Sequence, residues 1–126
     1  MALDNNKTLS NLDHANFFWM GDLTIYEIAN LQSFVKNGFK VIIWTYDKNL
    51  EKNINLKGVS FKDANLVLNE SLRMKFKQGR QKSSLSSFSN LFRYELLKKY
   101  GGWWFDIDCI CVKNMNEFIK LTYNRD

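Results

Sequence analysis

The chain contains no proline, a single histidine (His14) and two cysteines, Cys109 and Cys111, that stand one residue apart. The lack of proline, with 45% hydrophobic and 15% aromatic residues, argues against disorder, because such a chain has ample apolar surface to bury. One histidine in a polar N-terminal segment leaves no basis for a nucleophilic triad built on imidazole, and a surface role suits it better. Cys109 and Cys111 alternate in what reads as a strand, so they are expected to share one face. Neighbours on one strand are badly placed to bond each other, which makes two free thiols in a reducing compartment the better reading. No run of about 18 apolar residues occurs, so no membrane-spanning helix is expected. The polar start MALDNNKTLSNLDHAN lacks the basic and apolar regions of a signal peptide. The expected location is the cytoplasm.

What is present fits one domain, since 126 residues suffice to bury a hydrophobic core without disulfide help. The formal charge of +5 reflects 18 basic against 13 acidic residues, with much of the excess in Arg73, Lys75, Lys77, Arg80 and Lys82. Such a cluster can meet nucleic acid, anionic lipid or a phosphorylated ligand. Charge runs usually face water, and no recognition motif accompanies this one, which argues against nucleic acid.

The run NFFWM, residues 16–20, reads as a buried strand that Gly21 turns out of the sheet. Thr24 and Glu27 form a capping box, and Ile25, Ile28, Leu31, Gln32 and Val35 follow at helical spacing up to Gly38. FKVIIWTY, residues 39–46, has the composition of a strand covered on both faces. Residues 47–58 read as a loop, and residues 59–68 as a short strand with an irregular segment. A second long helix is expected to end at Tyr100, capped by Ser84, Ser86 or Ser87 and stopped by Gly101 and Gly102. Phe88, Leu91, Phe92, Glu95 and Leu96 share one side of it, whereas Ser86, Asn90, Arg93 and Leu97 form a second, more polar stripe. Trp103 to Ile107 reads as a strand, with Ile110 to Val112 as its continuation or a second short strand. The order predicts an α/β architecture with at least part of the sheet parallel.

Asp106 and Asp108 then lie at the carboxyl end of a strand, where open α/β folds bind ligands. A period of two puts both carboxylates on one side, and hard oxygen donors in that number suit Mg2+ or Mn2+ completed by water and phosphate oxygens. By itself Asp-x-Asp also describes two solvated loop carboxylates. Arg93 is a candidate clamp on a ligand's negative charge, or else a structural ion pair with Glu95 or another acidic residue. A haloacid-dehalogenase phosphatase also opens with Asp-x-Asp after a strand. Its further motifs must lie downstream, where only 18 residues follow Asp108.

FSNLFRYELLKKYGGWWFDIDCICV, residues 88–112, with FFWMG, residues 17–21, and VSFKDANLVLNES, residues 59–71, resembles the bacterial sugar-nucleotide glycosyltransferases grouped with family 32, which carry a sugar-binding region containing the Asp-x-Asp motif. The resemblance implies a GT-A fold, in which a Rossmann-like donor-binding half is joined to an acceptor-binding half. Residues 15–126 would be the donor-binding part, truncated relative to the family and preceded by a polar segment, residues 1–14. It further implies a nucleoside-diphosphate sugar donor, usually a UDP-sugar, and a carbohydrate or glycolipid acceptor in surface polysaccharide or glycolipid synthesis. Carried over by position, Trp19 would lie near the base, Asn90, Arg93 and Trp104 would contact the donor, and Asp106 and Asp108 would hold sugar and metal-diphosphate. Many relatives have Asp in place of Asn90 and Tyr in place of Trp104, so a carboxylate and a phenol are absent here. The alternatives are a non-catalytic sugar-nucleotide or carbohydrate-binding module, and a basic adaptor for membrane or nucleic acid. Peripheral contact with the inner membrane and self-association through an exposed sheet bearing Trp103, Trp104 and Phe105 are further expectations.

Overall fold

The two apolar runs near residues 16 and 42 become the central strands, because β-branched and aromatic side chains fill a pleat that is covered on both faces. The computed structural model describes residues 11–77 and 83–123. β1 spans His14–Phe18 and β2 spans Lys40–Thr45, paired in parallel with Ala15 opposite Val41 and Phe17 opposite Ile43. β3 (Val59–Asp63) joins the outer side of β2 and β4 (Trp103–Trp104) the other side of β1, giving a parallel sheet of order β3-β2-β1-β4. This is the expected α/β class, arranged as the Rossmann-like half of a GT-A fold. β1 begins at His14 rather than Asn16, which takes the histidine out of the polar segment and into the sheet. Burial accordingly lowers its pKa, with Lys40 and Lys62 adding to the effect and Asp13 opposing it.

Parallel neighbours require crossovers, and helices supply them on both faces. α1 (Ile25–Lys36) links β1 to β2, starting at the capping box of Thr24 and Glu27 and ending at Asn37 before Gly38, whose φ is +97°. Its Leu31 and Phe34 pack with Ala15, Phe17, Val41 and Ile43 on one face of the sheet. After β2 come α2 (Leu50–Asn53), a 3-10 turn (Ala64–Leu66), α3 (Glu70–Lys77) and α4 (Ser83–Tyr100), and α5 (Met115–Tyr123) follows the sheet. On the second face Ile42, Trp44 and Tyr46 pack with Phe88, Phe92 and Leu96 of α4. Odd and even residues of β2 therefore enter different cores, as strand periodicity requires.

α2 falls in the stretch expected to be a loop, where the buried Leu50 anchors one short turn to the core. α4 starts at Ser83, so Ser84, Ser86 and Ser87 lie within the helix rather than capping it. No glycine or proline between residues 83 and 88 stops the helix from extending that far. Of the basic cluster, Arg80 and Lys82 lie outside the described residues. Arg73 is no solvated charge: it pairs with Glu70 at 3.4 Å and sits over the Tyr46 ring at 5.8 Å. Burial pushes the Tyr46 pKa up to about 12, and its hydroxyl donates to the Leu68 carbonyl at 2.8 Å.

The largest departure from expectation is β4, which stops at Trp104 instead of Ile107. Phe105 N–H still donates to the Asn16 carbonyl at 3.1 Å, after which the chain leaves the sheet, and residues 110–112 form no strand. Cys109 is exposed and Cys111 buried, so the two do not share a face, although both are free thiols. Trp103, Trp104 and Phe105 are half-buried, and Phe118 of α5 lies 5.9 Å from both Trp103 and Phe105 by ring centroids. The aromatics expected on an open sheet edge are thus partly covered.

Candidate functional site

The chain leaves β1 toward β2 on one side, while β4 joins β1 on the other, so the strand order reverses at β1. Crevices at such reversals, beyond the carboxyl ends of the strands, are the usual ligand sites of open α/β sheets. A cavity of about 430 Å³ opens there. Its walls come from the end of β1 (Phe18, Trp19), the first turns of α1 (Tyr26, Glu27, Asn30), Ser89 of α4, and the chain from Trp104 to Asp108. The volume lies within the range of small-molecule sites.

A buried asparagine fixes the seam beneath the cavity. Asn16 Oδ1 accepts from Trp44 Nε1–H at 2.9 Å, and its Nδ2 donates to the carbonyls of Trp103 at 2.9 Å and Gly101 at 3.4 Å. Gly102 makes this approach possible: a Cβ there would stand 2.9 Å from Asn16 Nδ2, and its φ of +87° disfavours any other residue. The Gly-Gly pair expected only as a helix stop also lets β4 close against β1.

Trp19 extends the β1·β2 pairing, its N–H donating to the Trp44 carbonyl at 3.0 Å, and its Nε1–H donates to the Asp22 carbonyl at 3.1 Å. That bond holds the indole against the turn at Gly21, whose φ is +90°. On the α1 wall, Glu27 is committed to the helix cap. Its Oε1 accepts from Thr24 N–H at 2.9 Å and its Oε2 from the Thr24 hydroxyl at 2.8 Å, bonds that hold its carboxyl below the usual carboxylate range.

Asp106 and Asp108 line the opposite wall, and both are exposed. They come together in a turn, with Cys109 N–H donating to the Asp106 carbonyl at 3.0 Å, and not as alternate residues of a strand. Phe105 and Ile107 pack into the α1-side core, which leaves the aspartates between and after them facing outward. Of the expected site residues, Trp19, Trp104, Asp106 and Asp108 are thus brought to one cavity. Asn90 and Arg93 are exposed on α4 and do not line it, although Arg93 stands one turn beyond the lining residue Ser89.

The lining has a clear electrostatic sign, with three carboxylates, Glu27, Asp106 and Asp108, and no lysine or arginine among the described lining residues. Among the described residues no group of three or more His, Cys, Asp and Glu side chains is placed to hold a metal ion. Two carboxylates suit an ion that keeps water and takes its remaining ligands from phosphate oxygens, as Mg2+ and Mn2+ do. The neighbouring Cys109 is a free, exposed thiol whose pKa is pushed up by desolvation and by the charges of Asp108 and Asp106. The donor chemistry therefore fits a hard divalent cation.

Sequence reading missed Tyr26, Glu27, Asn30 and Ser89 as cavity residues. Tyr26, Glu27 and Asn30 could have been found, since they occupy the first turns of the helix that follows β1, where Rossmann-like sites recruit ligand contacts. Ser89 carries no such signal.

A family model described as glycosyltransferase sugar-binding region containing DXD motif matches residues 21–123, which include α1, the whole of α4 and Asp106 to Asp108. No curated protein and no solved structure matches the chain.

Proposed function

Since the chain belongs to the glycosyltransferase family defined by the DXD-containing sugar-binding region, we propose that it binds a nucleoside-diphosphate sugar, in particular a UDP-sugar, together with Mn2+ or Mg2+. The sugar passes to a carbohydrate or glycolipid acceptor in surface polysaccharide or glycolipid synthesis. The observation that carries this reading is the meeting of Asp106 and Asp108 with Trp19 across one cavity at the strand-order reversal.

An acidic cavity repels a diphosphate unless a cation comes with it, so the sign of the lining itself argues for a metal-bound donor. Asp106 and Asp108 would hold the ion, which when bound offsets charge on the departing diphosphate. Trp19, fixed by its bond to Asp22, offers its ring to the base. Asp106 also accepts hydrogen bonds from donor sugar hydroxyls, and Trp104 closes the apolar floor beneath them. Asn90 and Arg93 lie on α4 outside the lining and would meet only parts of the donor that extend past Ser89.

The reaction belongs in the cytoplasm at the inner face of the membrane. α3 and α4 expose the cations Lys75, Arg93, Lys98 and Lys99, which supports contact with anionic lipid. Incubation with a panel of UDP-sugars and Mn2+, with water alone and with candidate carbohydrate or glycolipid acceptors to take the sugar, tests the enzymatic reading: the wild type releases UDP and Asp108→Ala does not. Donor binding without release in the wild type would instead assign the chain as a sugar-nucleotide-binding module.

A further inference from the structure

We propose that Asn30, Ser33 and Asn37 are positioning residues, a polar rail along α1 that sets the Asp106–Asp108 turn at the mouth of the cavity; this rests on Asp106 and Asp108 being the metal-diphosphate ligands. Between β4 and α5 the backbone forms no strand ladder, so its polar groups need partners elsewhere. Side chains of α1 and of its C-cap residue Asn37 provide them. Asn30 Nδ2 donates at 3.1 Å to the carbonyl of Ile107, the residue between the two aspartates. Ser33 Oγ accepts from Cys111 N–H at 2.8 Å, and Asn37 Nδ2 donates to the Cys111 carbonyl at 3.1 Å.

These three residues recur at the spacing of one helix face, i, i+3 and i+7. They are also tied to their own helix: the Ser33 hydroxyl donates to the Asn30 carbonyl, and Asn37 Nδ2 donates to the Ser33 carbonyl at 2.8 Å. The Asn37 carbonyl in turn accepts from Met115 N–H at 2.8 Å, which carries the rail to the start of α5. The bond partners lie 74 to 78 residues away in sequence, so local propensity does not explain them.

The chemical need is specific. Two carboxylates that share an ion must keep a fixed separation and direction, and their own turn is exposed on the solvent side. Ile107 and Cys111 pack inward toward α1, and the rail bonds the backbone at those same two residues. The aspartates are thereby held outward without touching the rail themselves. In metal sites, loss of such supporting partners typically weakens metal binding or activity by about 10- to 100-fold.

The test compares the wild type with Asn30→Leu, which keeps the number and branching of side-chain heavy atoms but removes the donor, Asn30→Gln, which keeps an amide, and Ser33→Ala. Gln32→Ala, an exposed change on the same helix, is the control. Two readouts are taken: Mn2+·UDP affinity, and hydrogen-deuterium exchange of residues 105–112 without ligand. Asn30→Leu and Ser33→Ala are expected to weaken Mn2+·UDP binding about tenfold and to speed exchange over residues 105–112, leaving exchange in β1 and β2 unchanged. Asn30→Gln is expected to recover part of both. Unchanged exchange over residues 105–112 in both variants overturns the rail, whatever the ligand data show. Faster exchange with wild-type Mn2+·UDP affinity also overturns the positioning role. If the wild type itself fails to bind Mn2+·UDP, the metal-diphosphate assignment fails and the role falls with it, while the exchange data still identify whether the rail exists.

Discussion

Asn16 is buried to 1% exposure, yet it is polar, and its amide serves three groups from two other segments, β2 and residues 101–103. Replacing it with leucine would keep the number and branching of side-chain heavy atoms while removing the acceptor of the buried Trp44 indole N–H and the donor to the Trp103 carbonyl. A buried donor left unsatisfied, here the Trp44 indole N–H, costs about 1–3 kcal/mol, so Asn16→Leu should lower the urea midpoint measurably at an unchanged slope. An unchanged midpoint would show that water or a local shift replaces both bonds. In the sequence Asn16 is only the polar first residue of an apolar run. Its partners lie 28 and 87 residues away, and nothing local marks them. Gly102 was legible as a helix stop, but its second role depends on Asn16 crossing from another strand. Asp106 and Asp108 were legible because Asp-x-Asp after a strand is a local pattern, whereas Trp19 came only from the family resemblance.

Among the elements, α1 was read most completely, because its start, apolar face and stop are all written in adjacent residues. The capping box predicts that Thr24→Ala loses about 1 kcal/mol of stability by chemical denaturation, since the side-chain acceptor for Tyr26 N–H disappears. It should also free Glu27 from the hydroxyl bond and raise its pKa, as followed by NMR titration. A variant as stable as the wild type would contradict the cap's contribution. β4 shows the opposite case. Trp-Trp-Phe-Asp-Ile has the propensity of a strand, but the pairing ends at Phe105 and the Ile107 carbonyl goes to Asn30. Tertiary bonding overrides strand propensity there, and it also separates Cys109 from Cys111. The exposure of Asn90 and Arg93 was partly legible, since they fell on the polar stripe of α4. Their distance from the cavity lining was not, because helix periodicity gives direction but not reach.

At the scale of the whole molecule, the parallel sheet of order β3-β2-β1-β4 does the organising. One reversal brings together the end of β1, the start of α1 and the chain after β4, residues that are far apart in sequence. The α/β class was legible from the alternation of apolar strands and amphipathic helices, whereas the reversal at β1 follows only from which strand β4 joins. The resulting cavity is acidic, and the proposed function makes a cation the condition for binding a diphosphate there. Calorimetric titration of UDP into the wild type and Asp108→Ala, with and without Mn2+, tests this most directly. Saturable binding is predicted for the wild type in Mn2+ alone, lost on removal of the ion and lost in Asp108→Ala at any Mn2+ level. Equal affinity in all four combinations would contradict a metal-diphosphate site at Asp106 and Asp108.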